Sequence, residues 1–353
     1  MESDLTRVRK NVELAPLTTL GVGGSARFFV RAESVGDVEG AVAFARGRKL
    51  PLFVLGGGSN LLVSDSGWDG LVLQVGISGI QERREPSRTF LSVGAGVDWD
   101  KVVAHCVAKN YCGVECLSGI PGSVGGTPVQ NVGAYGQEVS ETIVAVLTFD
   151  LEENRVRELN AAECGFSYRS SIFNSSQRGR YIILRVTYGL SSDIKPSLLY
   201  ADLQKYFAGR DGTPSLGEIR EAVLNIRASK GMLITAGDPD SRSAGSFFKN
   251  PVLSAAQHEE LVRRAAERAL EVPSYPALSQ QRKVSAAWLV ENSGFRKGYV
   301  RGNAGISRKH ALAIVNLGGA SAAEIVALKD EIQGRVELAW GVRLEPEPVF
   351  VGF

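Results

Sequence analysis

The chain has 353 residues, room for two or three domains, with 44 % hydrophobic and 22 % charged residues, which excludes a disordered or fibrous protein. Forty Lys and Arg against 38 Asp and Glu give a net charge of +2, removing the main electrostatic argument for binding nucleic acid or membranes. Glycine is the outlier: 40 residues, above the usual ~7 %, point to many tight turns or to backbone lying close against a ligand.

Residues 1–10 are charged and carry no apolar run, unlike a signal peptide. Residues 26–31 read as a strand. Ser34 then caps a helix with Val35, Val38, Val42 and Ala45 on one face. A short buried strand at 52–55 runs directly into Gly56-Gly57-Gly58-Ser59-Asn60. Successive backbone N–H groups there can form an anion nest for a diphosphate, or simply a tight turn. Strands follow at 71–75 and 90–93, then a helix at 99–109.

Residues 119–136 hold six glycines and two prolines in eighteen positions. The loop contains Gly119, Pro121, Gly122, Gly125, Gly126, Gln130, Asn131, Gly133, Ala134, Tyr135 and Gly136. It suits a backbone wrapped around a flat or phosphorylated ligand, the alternative being a rigid structural loop. Strand character returns at 143–150 and 181–188. Tyr168-Arg169 places one Arg among aromatics, where it can grip a carboxylate or phosphate or form an interdomain ion pair. The polar stretch 191–196 marks a boundary near 190–215.

The last third is helical. Capping boxes pair Ser215 with Glu218, Ser254 with Gln257 and Ser321 with Glu324, and a shorter helix covers 285–292 with Gly294 behind it. Ser246-Phe247-Phe248-Lys249-Asn250-Pro251 presents a hydroxyl beside two aromatics, or is a strand entered through a turn. Glu345-Pro346-Glu347-Pro348 flanks a proline with carboxylates in an apolar strand at 344–349. Alternation would send both to one face unless the prolines bend the strand, and the alternative is a pair of solubilising charges on an edge strand.

Several motifs are rejected. Gly21-Val22-Gly23 precedes a strand rather than a helix, so it is no dinucleotide fingerprint. There is no Gly-Lys pair for a Walker A loop and no Gly-x-Ser-x-Gly elbow. The spacing of Cys106, Cys112 and Cys116 fits no zinc site, so these and Cys164 are expected as buried or half-buried free thiols in a reducing, cytoplasmic compartment, and no metal is expected. His105 is expected to be structural and His258 to lie on a solvated helix face.

Taken together, Gly-Gly-Gly-Ser-Asn, Ile-Pro-Gly-x-x-Gly, Gln-Asn-x-Gly-Ala-Tyr-Gly, Tyr-Arg-x-Ser-x-Phe, Ala-Gly-Ser-Phe-Phe-Lys-Asn-Pro and Leu-Glu-Pro-Glu, in this order, resemble the UDP-N-acetylenolpyruvoylglucosamine reductase (MurB) family over about 17–352. The resemblance implies an α+β flavoenzyme of peptidoglycan synthesis. Its parts would be an FAD-binding domain of the vanillyl-alcohol-oxidase (PCMH-type) superfamily and a C-terminal α+β substrate-binding domain. The implied division is 1–75 and 76–205 for FAD, 206–335 for substrate, and 336–353 for a closing strand segment. NADPH would reduce non-covalent FAD, which in turn would reduce the enolpyruvyl ether to UDP-N-acetylmuramate.

By the same resemblance the two glycine loops wrap FAD, and Ser246 is the proton donor. Arg169 and Glu347 polarise the substrate carboxylate. Tyr200 is the mobile-loop tyrosine of one family subtype. Lys230 and Asn250 contact the substrate, with Lys249 and His310 as further candidates near the nucleotide or sugar. The segment 231–241 is longer than in short members, and Pro348 is unusual beside Glu347. The implied partners are a UDP-sugar and NADPH, without nucleic acid or membrane, and the chain is expected to be a monomer. The competing reading, a sugar or alcohol oxidase with covalently attached flavin, finds no His in either glycine loop.

Overall fold

Ser34 begins the first helix as its pattern requires: Asp37 N–H donates to Ser34 Oγ and Ser34 N–H to the Asp37 carboxylate (3.1 and 3.0 Å). Helix α1 (Val35–Gly47) then buries Val38, Ala41, Val42 and Ala45. The structure is a computed structural model that describes residues 8–191, 198, 200–277 and 280–353. The polar stretch expected as a boundary falls largely outside these residues.

Two units divide the chain. One takes Met1–Val12, Ala26–Gly58 and Trp68–Leu233, the other Glu13–Ser25, Ser59–Gly67 and Ile234–Phe353. The first unit includes residues on both sides of 75 and of 205. The helix at Leu216–Ser229 packs against Glu115–Leu117 and Trp99–Ala108, which keeps the first unit going to Leu233, and a short early segment joins the second.

In the first unit, strands Ser25–Ala32, Trp68–Val75 and Leu52–Leu55 pair in parallel, with Arg9–Glu13 on the outer edge. Helix α1 is the crossover between two of them, as a parallel connection demands. A second sheet is antiparallel, in the order Arg155–Asn160, Ile143–Asp150, Tyr181–Leu190, Thr89–Gly94, Ile80–Arg84. One core runs through both sheets and helix α2 (Trp99–Ala108). At its centre Trp99 is 1 % exposed and donates to Leu117 O (3.1 Å). The four cysteines are buried free thiols, and burial pushes each up to about 12.

Strand Ile143–Asp150 ends on a buried carboxylate. Arg180 grips Asp150 through Nε and Nη2 (3.0 and 2.7 Å), and the guanidinium holds the carboxyl below the usual carboxylate range. A depressed pKa in the fold stabilises it above the unfolded value of about 4, and that contribution is lost as pH falls through the folded value. Asp150→Asn is therefore expected to lower the urea midpoint at pH 7, with the gap to the wild type closing below about pH 4. A gap that stays constant with pH would rule out the ionised pair as the source.

Helices α3 (Ala201–Tyr206) and α4 (Leu216–Ser229) close the first unit. The second unit is built on α5 (Ala255–Ala266), α6 (Ala286–Glu291) and α7 (Ala322–Trp340) with short sheets between them. Its core includes Phe247, Phe248, Leu261, Leu289, Ile325, Leu328, Ile332 and Trp340. All three expected capping boxes are present at Ser215, Ser254 and Ser321. Helix α6 ends at Glu291 with Asn292 as its C-cap, so Gly294, expected as the cap, lies two residues beyond it at φ +89°. His258 departs from expectation, because α5 turns it inward until its Nε2 is buried.

The expected strand at 344–349 is broken. Only Val349–Val351 is regular, parallel to Leu61–Val63, with an isolated bridge between Pro346 and Phe248. Pro346 and Pro348 lack N–H groups, so the donors come from the residues after each: Glu347 N–H to Phe247 O and Val349 N–H to Asn60 O (both 2.9 Å).

Candidate active site

In the first unit the two glycine loops meet. Strand Leu52–Leu55 delivers Gly56–Gly58 against Gly122 and Ser123. A Cβ on Gly57 would lie 2.5 Å from Gly122 Cα and one on Gly56 would lie 3.1 Å from Ser123 Oγ. Glycine is thus required at Gly57 by contact between two backbones, while at Gly56 the neighbour is a side chain. Gly122 itself takes φ +120°, which L side chains rarely adopt. Gly126 differs: nothing lies within 4 Å of a Cβ there, so its bare backbone faces open space. Ser123 Oγ is buried yet makes no hydrogen bond. An orphaned hydroxyl beside two glycine backbones fits a phosphate acceptor.

The remainder of the second loop is rigid. Asn131 is 1 % exposed with φ +44°. Its amide donates to Glu138 (2.6 Å) and to Ser167 O (3.1 Å) and accepts from Ser140 N–H (3.1 Å). That side chain holds the loop together, so only its backbone remains for a ligand. Ser167 and Ser170 exchange backbone hydrogen bonds around a tight turn with Arg169 at φ +54°. Arg169 Nη2 donates to Gly133 O (2.9 Å) and Asn174 Nδ2 to Arg169 O (3.1 Å). The loop carrying Gly133, Ala134 and Tyr135 therefore fixes the guanidinium. Gln130 and Gly136 lie in the same loop, Gln130 half-buried and Gly136 at φ +86°.

Tyr135 stacks edge-on against Tyr200 (centroids 5.4 Å), and Lys230 Nζ stands 6.0 Å from the Tyr135 ring centroid. Lys230 is ion-paired with Asp202 of α3 (2.5 Å). Burial alone would lower the Lys230 pKa, but the Asp202 carboxylate outweighs it and raises the value. Beneath Gly119, Arg227 lies buried and donates to Gly119 O (3.2 Å) and Met232 O (2.8 Å). Its desolvation lowers the guanidinium pKa, with Tyr135 and Asp100 acting against it. The sequence reading passed over Arg227, although it falls on the buried stripe of α4 with Leu216, Ile219 and Val223. A charge on such a stripe is the available signal.

The second unit holds the other expected residues. Gly245 turns the chain at φ +76°, and Ser246 follows, half-buried. The segment after it zips onto the C-terminus through Glu347 N–H to Phe247 O (2.9 Å) and Lys249 N–H to Glu345 O (3.0 Å). Ser246 and Glu347 are thereby held by one backbone ladder. Lys249 Nζ stands 3.8 Å from the exposed Glu345. Asn250 does not extend its carbonyl outward: Oδ1 accepts from Ala286 N–H (2.9 Å) at the start of α6. Asn60 Nδ2 donates to Glu347 O (3.2 Å), and Thr19, also passed over, donates to Ser59 O and Ser243 O (3.3 and 2.6 Å). His310 Nε2 lies 3.1 Å from Ser246 Oγ.

The segment 231–241 is tied down at its end. Asp240, 1 % exposed, accepts from Arg308 N–H (2.9 Å) and Nε (3.0 Å), and Asp238 pairs with Lys309. Among the described residues there is no group of three or more His, Cys, Asp or Glu suited to a metal ion. No helix among them is long and apolar enough to cross a membrane.

Residues 26–158 match the family described as FAD binding domain, and residues 238–351 match the C-terminal domain family of UDP-N-acetylenolpyruvoylglucosamine reductase. The UDP-N-acetylenolpyruvoylglucosamine reductase of Thermobifida fusca is 45 % identical over 98 % of this chain and 99 % of its own. The chain belongs to the UDP-N-acetylenolpyruvoylglucosamine reductase family. The enzyme of the same name from Salinispora arenicola is also 45 % identical, over 96 % of this chain and 94 % of its own. Among solved structures, the family member from Thermus caldophilus aligns over 98 % of this chain and 99 % of its own, with TM-score 0.65 and 27 % identity. The flavoenzyme expected from the six motifs, with an FAD-binding domain ahead of a family-specific C-terminal domain, is what these matches establish.

Proposed function

We propose that this chain reduces UDP-N-acetylglucosamine enolpyruvate to UDP-N-acetylmuramate with NADPH, using Ser246, Arg169 and Glu347 on the reacting enolpyruvyl group. Membership of the family supports the reaction. The observation that carries the residue assignment is the ladder 247–249 against 345–347, which fixes Ser246 and Glu347 on one frame. FAD fits this chain through the orphaned Ser123 hydroxyl and the open backbone at Gly126, and when bound it supplies the hydride that NADPH delivers.

Residues of this chain perform the remaining steps. Arg169, fixed by Gly133 O, binds the substrate carboxylate and stabilises the second negative charge that develops on it. Glu347 shares that carboxylate and carries or receives a hydrogen bond there, since two bare carboxylates would repel. Ser246 Oγ–H gives its proton to C2. A serine hydroxyl is a weak acid, and it suffices because the charge-loaded carboxylate makes C2 basic. Lys230 meets the diphosphate, with Tyr200 closing over it. Lys249 and Asn250 line the sugar-nucleotide side, Asn250 through its amide N–H₂. The glycine loops, from Gly56 to Asn60 and from Gly119 to Gly136, hold FAD mainly through backbone N–H groups. Within this reading the chain acts as a cytoplasmic monomer.

The deciding experiment is an anaerobic absorbance titration of the purified holoenzyme. NADPH should bleach the flavin, and UDP-N-acetylglucosamine enolpyruvate should then restore the oxidised spectrum. Bleaching without recovery would reject the substrate.

The Lys230–Asp202 pair yields a separate expectation. The substrate diphosphate must compete with Asp202 for the ammonium group, and both partners are partly solvated. Asp202→Asn should therefore lower the substrate KM about two- to fivefold with little change in kcat, the scale of a partly exposed ion pair. A raised KM would mean that Asp202 orients Lys230 rather than competing for it.

A further inference from the structure

We propose that His310 acts through Ser246, holding its hydroxyl and returning a proton to it as the proton passes to substrate. This rests on Ser246 being the proton donor, as argued above.

His310 and Ser246 are fixed from several sides. Ser307, fully buried, accepts from Lys309 N–H (3.0 Å) and His310 N–H (3.3 Å). Asp240 clamps the same loop through Arg308, and Ala313 N–H closes it onto His310 O (3.2 Å). Beyond that turn, Leu312 O accepts from Phe247 N–H (2.8 Å), the residue next to Ser246. The loop that carries the imidazole thus grips the segment that carries the hydroxyl, and the two side chains meet at 3.1 Å. Such redundancy is expected where a geometry must hold within a few tenths of an ångström. The segment 231–241 brings Asp240 and Asp238 onto the loop beside His310.

The chemistry gives the contact a purpose. When Ser246 protonates C2, its Oγ–H bond breaks and a C2–H bond forms, which leaves an alkoxide beside apolar Phe247 and Phe248. An imidazolium at Nε2 removes that charge: its N–H bond breaks and a new Oγ–H bond forms. The imidazole ends neutral and is reprotonated by solvent. The serine is then never left charged in a half-buried site.

The test uses holoenzyme and separates the half-reactions by stopped flow. His310→Ala should leave flavin reduction by NADPH within twofold and slow reoxidation by the enolpyruvyl substrate by ~100-fold, the lower range for a proton-transfer group. His310→Gln keeps a donor of similar reach but cannot transfer a proton, so it should recover less than a tenth of the loss. Full recovery in the Gln variant would overturn the proton return. The double variant Ser246→Ala with His310→Ala should be no slower than Ser246→Ala alone, because one residue acts through the other. Additive losses would make His310 an independent substrate contact and overturn the proposal. Reoxidation of His310→Ala within threefold of wild type would do the same. Asp240→Asn, which loosens the loop from a distance, should show a milder loss confined to reoxidation, and an unchanged reoxidation rate there would count against the clamp. If the wild-type flavin is never reoxidised by this substrate, the functional reading fails instead.

Discussion

Replacing Ser246 by Ala is expected to split the catalytic cycle. Flavin reduction by NADPH should proceed within twofold of the wild-type rate, while reoxidation by the enolpyruvyl substrate falls about 1,000-fold, inside the range for loss of a positioned general acid. The asymmetry follows from where the hydroxyl acts: it meets only the carbon that must gain a proton. The substitution should leave the fold intact. Ser246 is half-buried at a turn, its hydroxyl contact is with His310, and the ladder beside it is made by the backbone of 247–249 and 345–347. Substrate KM should change little, because the carboxylate and diphosphate contacts remain. Reoxidation slowed by less than tenfold would remove Ser246 from the donor role, with water or another side chain then delivering the proton.

What could be read in the sequence, and what could not, follows the range of the interactions involved. The cap at Ser34 and the capping boxes at Ser215, Ser254 and Ser321 are three-residue chemistry and stand where expected. Strand Ile143–Asp150 was marked by its apolar run. Strands Ile80–Arg84 and Arg155–Asn160 escaped because they lie on sheet edges and face solvent. Their Arg and Glu side chains protect an edge from further pairing and erase the alternation that betrays a strand. The site residues were legible as motifs, but their partners were not. Asn60 reaches Glu347 across 287 positions, and Ser246 reaches His310 across 64. Asn131 reads as a side-chain ligand contact only while the local bonds of its amide to Glu138 and Ser140 are unknown. Arg227 and Ser123 needed burial to stand out: a buried guanidinium and an orphaned hydroxyl are unremarkable letters until their surroundings are known.

The glycine loops allow these two kinds of requirement to be separated by experiment. Gly57→Ala puts a methyl 2.5 Å from Gly122 Cα and 2.7 Å from Ser123 N. Both are backbone atoms of a second loop that itself adopts a glycine-only conformation at Gly122, so neither side can relax cheaply. Overpacking of this kind costs about 1–3 kcal/mol or more. The variant should purify with little FAD and melt several degrees lower even as apoprotein. Gly126→Ala meets nothing within 4 Å in the protein, so the apoprotein should melt within about a degree of wild type. If bound FAD lies against that open backbone, the same variant should still bind FAD at least tenfold more weakly, because the added methyl competes with the ligand alone. The opposite pattern, a stable Gly57→Ala and an unstable Gly126→Ala, would mean that the loops do not cross as described. Loss of stability in both would make the glycines purely architectural, and the phosphate nest would then have to be sought at Ser123 and Gly58 instead.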